Sequence, residues 1–204
     1  MIRLKFPAIL AAVSIACGAA WAADYSDPEW PCVQRRADTL SLGLMWPHPV
    51  PEGALRPEIA PAAEELIGAL VLRRVSLDEA RAMIAEFAAA HPDLTRDDLG
   101  QVFRGVFQQI DRQRSAIIKG IGRYSLKQID LATRIDATRT EMDATLAAAE
   151  PDYDRIDALE EQLHWDERIY HDRAQSLTYV CETPVLIEQR AYAIAQDLLA
   201  YVPE

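Results

Sequence analysis

Residues 131–163 read LATRIDATRTEMDATLAAAEPDYDRIDALEEQL, and this stretch decides the fold. Leu131, Ile135 and Met142 precede the turn-like Glu150-Pro151-Asp152-Tyr153, and Ile156, Leu159 and Leu163 follow it. The apolar residues recur at steps of three, four or seven, the spacing that places side chains on one face of a helix. Pro151 suits the start of a second helix, where a missing N–H has no intrahelical partner to lose. Two long amphipathic helices joined by so short a turn make an antiparallel, coiled-coil-like hairpin. Outward from the turn, Ile117, Ile121 and Tyr124 prolong the first seam and Tyr170, Ala174 and Leu177 the second, so the hairpin covers about residues 123–180. Four polar residues, Gln128, Thr138, Asp166 and Arg173, occupy seam positions. Such residues fix the register of a helical pair at some cost in stability, which is the favoured reading, or mark a seam that opens into a groove. Gly120 and Gly122 weaken the first helix locally and predict a kink or a break there.

Upstream, Ile59, Ala63, Leu66, Ile67 and Leu70 repeat with helical period from Pro57 onward. Ser76 with Glu79 is a capping box, in which the serine oxygen takes a backbone N–H and the glutamate reaches back. The helix it opens carries Leu77, Ala80, Ile84 and Phe87 on one face and ends at His91-Pro92; Thr95 and Asp98 start the next. Downstream, Thr183-Pro184 reads as the start of a last helix with Val185, Ile187, Ala191, Ile194, Leu198 and Leu199 turned inward. The expectation is an all-α domain of about five helices over residues 57–204.

The segment before it, residues 23–56, is of another kind. Pro28, Pro31, Pro47, Pro49, Pro51, Pro57 and Pro61 crowd into or beside it, with Trp30 and Trp46 among them. Prolines remove backbone donors and fix φ, so the segment is irregular, with one short helix about Arg35–Leu44. The tryptophans favour packing against the helical body.

The first residues report destination. Arg3 and Lys5, an apolar run over Phe6–Ala16 and Ala20-Trp21-Ala22 compose a secretory signal peptide, residues 1–22, cleaved after Ala22. Of 204 residues, 182 then remain. Losing two basic residues and no acid takes the charge from −11 to −13. A chain so acidic is a poor ligand for nucleic acid or anionic lipid. Cys17 leaves with the signal, so Cys32 and Cys181 are paired by default in the oxidising periplasm, tying the proline-rich segment to the helices.

The sharpest chemical constellation is Glu160, His164, Glu167 and His171, at steps of four, three and four on one helix stripe. Imidazole and carboxylate together are a ligand set for zinc or copper. Yet bundle metal sites collect ligands from several helices, and the two histidines stand about 10 Å apart along the axis. Trp165 follows His164 where a zinc protease would carry glutamate. A polar stripe beside the seam is the favoured reading, with no cofactor, and a metal- or small-ligand-binding protein is the alternative. No nucleophile elbow, haem-attachment motif or phosphate loop occurs. The function expected is non-catalytic: an exported accessory or assembly protein that binds another envelope protein. Its contact residues would be Asp152, Tyr153 and Asp154 at the hairpin tip, or Trp30 and Trp46 in the N-terminal segment.

Overall fold

The computed structural model describes residues 27–203, so the expected signal peptide lies outside the described residues. They form a short 3-10 turn, Leu42–Leu44, and four α-helices: α1, Ala60–Leu70; α2, Leu77–Ala90; α3, Arg96–Leu146; and α4, Tyr153–Leu199. No strand occurs among the described residues. With 51 and 47 residues, α3 and α4 extend for about 75 and 70 Å at 1.5 Å per residue.

Side-chain caps start three of the four helices, while α1 follows Ile59 without one and has proline in its first turn. In the capping box of α2 the Ser76 hydroxyl accepts from the Glu79 N–H at 3.2 Å, and the Ser76 N–H donates to Glu79 at 2.7 Å. Thr95 and Asp98 repeat the device at α3, at 3.2 and 2.8 Å. These Ser76 bonds hold the exposed Glu79 carboxyl below its usual pKa. At α4 the cap is the Asp152 carboxylate, which accepts from the Arg155 N–H at 3.0 Å.

The body of the molecule is α1 and α2 packed on the first part of α3 and the last part of α4. Leu70, Ile84, Leu99, Phe103, Ile194 and Leu198 are fully covered at its centre. Arg190 joins the two halves, donating to the Leu70 carbonyl at 2.8 and 2.9 Å and to that of Val75 at 2.7 Å. It thereby takes one carbonyl left over at the end of α1 and one in the turn before α2. Burial pushes its guanidinium pKa down.

Residues 27–56 form a strap lying across this body. Trp46 is 1% exposed and stacks on Phe103, ring centres 5.5 Å apart. Trp30 and Cys32 join Ile118, Ile121 and Cys181 in a second, smaller core, closed by the Cys32–Cys181 disulfide. Arginines of α3 hold the strap by its carbonyls. Arg104 donates to Pro51 and Gly53 at 2.7 and 2.9 Å, and the buried Arg114 to Ala37 at 2.6 Å. The helix expected about Arg35–Leu44 reduces to the three-residue turn, because here the strap's backbone bonds to α3: the Leu40 N–H donates to Asp111 at 3.2 Å.

The count of four helices corrects the expectation of five. α4 runs on through Thr183 and Pro184 instead of restarting there. A proline inside a helix removes one backbone bond and crowds the carbonyl four residues earlier. Here the helix is clamped on both sides of the fault, by the Cys181 disulfide and by Ile187 in the main core. With no restart, Val185 faces outward, 37% exposed, and is not one of the inward residues. The break foreseen at Gly120 and Gly122 is also absent, since α3 passes through both. A Cβ on Gly122 would stand 3.3 Å from the Glu29 carbonyl oxygen, so this glycine admits the strap.

Candidate functional site

Beyond the strap, the two long helices have only each other. Between Gln128 and the turn, and from the turn back to Tyr170, the hydrogen bonds and ion pairs join α3 to α4 or stay within one helix. The seam is dry at Leu131, Ile135 and Leu159, all buried. Two of its polar members bond across the pair, while the Thr138 hydroxyl donates within α3 to the Arg134 carbonyl at 3.0 Å and the buried Gln128 Oε1 has no partner. Asp166 accepts two bonds from Arg134, at 2.9 and 3.1 Å, and Gln128 donates to the Tyr170 carbonyl at 3.1 Å. Tyr124 meets the Arg173 carbonyl at 3.4 Å. One register satisfies all three pairs, which is the role a polar seam position can play.

Towards the turn the seam opens. Met142, Ile156 and Leu163 are half-buried, and Leu146 is 56% exposed. Of the expected tip residues, Tyr153 is 67% exposed with both carboxylates beside it, although that of Asp152 also caps α4. Trp30 and Trp46, the alternative contact residues, are buried in the two cores and present no ring surface to a partner. Sequence reasoning passed over Trp165, which is 55% exposed with Arg168 6.0 Å from its ring.

The histidine stripe lies along one flank of the seam, but its members are apart in use. Glu160 and His164 border a hollow with Met142, Leu146, Ile156 and Leu163. Glu167 is hydrogen-bonded to Arg139 across the helix pair. His171 sits edge-on to Tyr170, ring centres 6.0 Å apart. No group of three or more metal-ligating side chains converges among the described residues.

Three adjoining hollows make this flank a groove, the less favoured of the two readings of the polar seam positions. The first, about 370 Å³, begins at Pro31 of the strap and follows Gln128, Ile129, Ala132, Ala174 and Leu177. The second, about 240 Å³, shares Ala132 and Tyr170 with it and holds Arg139, Glu167 and His171. The third, about 400 Å³, shares Glu167 and ends at Leu146. Besides the polar seam positions, its sequence trace is small residues: Ala132 beside the first seam, and Ala174, expected within the second seam but exposed on its flank. Compared with family models, with curated proteins and with solved structures, the chain matches none.

Proposed function

We propose that this protein is an exported, non-catalytic accessory that binds another envelope protein through the far end of the α3–α4 hairpin. The observation that carries the reading is charge. Glu141, Asp143, Glu150, Asp152, Asp154, Asp157, Glu160 and Glu161 are all exposed. The sole cation in that span is Arg155, whose guanidinium is bonded to Glu141. A long rigid pair projecting one sign of charge, with Tyr153 and Leu146 exposed beside it, suits fast, salt-sensitive capture of a basic surface. Export is supported by the leader-like first residues and by a disulfide, a bond that persists in oxidising compartments. Among the described residues no helix is long and apolar enough to cross a membrane.

The test is capture from native envelope extracts by the purified protein, followed by mass spectrometry and repeated with Asp152→Lys/Asp154→Lys. The reading expects a discrete partner whose association slows at least several-fold in the double variant, and slows likewise when salt is raised from about 0.05 to 0.5 M. A partner bound equally well under both changes would move the contact away from the tip.

A further inference from the structure

We propose that the groove on the histidine-bearing flank of the hairpin seats one amphipathic, basic helix of the partner, completing a three-helix bundle. This deepens the accessory reading and rests on it. A two-helix pair buries each seam from one side only, whereas a third helix laid along the flank covers it from a second. The groove has the dimensions for that guest. It follows α3 from Ser125 to Leu146, about 30 Å at 1.5 Å per residue, or roughly 20 residues of helix. Its floor is apolar, with Ile129, Ile156, Leu163 and Leu177, and it is widened at Ala132 and Ala174.

The rim selects the sign of the guest. Asp136, Glu160 and Glu167 border it, and Arg139 is the one cation on it. That guanidinium is already engaged by Glu167 and Asp136, so it offers an approaching carboxylate little. One cation among three carboxylates leaves the rim net negative, and Glu160, the rim carboxylate outside the Arg139 ion pairs, runs on into the acidic tip; this favours Lys or Arg on the flanks of the incoming helix and repels an acidic one. The same argument disfavours a second copy of this chain, whose net charge is −11 over the whole sequence and whose long helices carry the same acidic faces.

The probe is a fluorescently labelled 20-residue peptide of leucine and lysine with leucine at three- and four-residue steps. Its controls are a shuffled peptide of the same composition and a leucine–glutamate counterpart. Anisotropy titrations use the protein purified after export. The groove requires the patterned basic peptide to bind at least tenfold more tightly than either control. It also requires Ala132→Trp and Ala174→Trp, which plug the groove, each to weaken that binding about tenfold, while Ala158→Trp on an exposed position outside the groove leaves it unchanged. Thermal melts identify a plug that has disturbed the helices, in which case the other plug decides. Equal binding of the shuffled peptide, or indifference to the plugs, would overturn the groove as a helix slot. The two readings fail separately. A native partner that needs Asp152 and Asp154 but tolerates both plugs would leave the accessory function standing and remove the groove from it. Failure to find any partner, with the peptide still discriminated, would do the reverse.

Discussion

Gly120 and Gly122 stand two residues apart on one long helix and are there for different reasons. A Cβ on Gly120 meets only the mobile end of Arg123, at 3.9 Å, whereas one on Gly122 presses on the Glu29 carbonyl oxygen. Glycine costs a helix interior about 1 kcal/mol against alanine. Gly120→Ala should therefore raise stability by about that amount in urea denaturation. Gly122→Ala should gain clearly less, or lose, because the strap must shift. Equal gains at both would show that the strap does not hold its place there. Asp98 gives a second residue-scale test. Burial pushes its carboxyl pKa up, but the Thr95 hydroxyl and N–H and the Arg56 guanidinium outweigh this and hold it below the ordinary value of 3.8. A carboxyl whose pKa is lowered by folding stabilises the fold above its unfolded pKa and loses that contribution as pH falls. Asp98→Asn should cost about 2 kcal/mol at pH 7, and the gap from wild type should narrow below about pH 4. A gap that stays constant down to about pH 2.5 would assign the cost to packing instead of charge.

At the scale of elements, the heptad-like repeats made the hairpin legible, and the capping pairs Ser76–Glu79 and Thr95–Asp98 located two helix starts correctly. Thr183-Pro184 misled for a physical reason. The same two residues suit a helix start and a clamped helix interior, and the expected disulfide and inward Ile187 fit either case, so only the unbroken run of α4 through Pro184 separates them. The groove was legible only as one of two readings of the polar seam positions, and its place was not. Which flank of a seam stays open depends on the rotation of each helix about its axis, and Ala132 or Ala174 alone does not disclose it. The seam itself makes a quantitative claim. Ile135 is buried and Leu163 half-buried, so Ile135→Ala should cost roughly 2–4 kcal/mol and Leu163→Ala about half of that. Losses under about 0.5 kcal/mol at both sites would mean that the hairpin is not held by this seam.

At the scale of the molecule, a small helical body and a strap support two helices far longer than the body requires. The strap was legible as irregular, but not the means of holding it. Nothing in the sequence marks Arg104 and Arg114, because a backbone carbonyl that accepts a bond leaves no trace there, or Arg56, which ties the end of the strap to Asp93 and Asp98. With few periodic apolar residues of its own, the strap relies on these arginines, on Trp30 and Trp46, and on Cys32–Cys181. That bond spans 149 positions; a closure of this length restricts the unfolded chain by at most about 5 kcal/mol in the chain-entropy account. The helices carry their own cores, so the two parts should separate on reduction. Mild reductant should unmask Trp30 first, seen as a red shift in emission, and raise amide exchange across residues 27–40, while helical circular dichroism persists. Trp46 and the Arg104 contacts should hold the later strap until the body melts, since they engage the main core independently of the sulfurs. Simultaneous loss of helix signal and strap protection on reduction would instead make the disulfide a support of the whole fold.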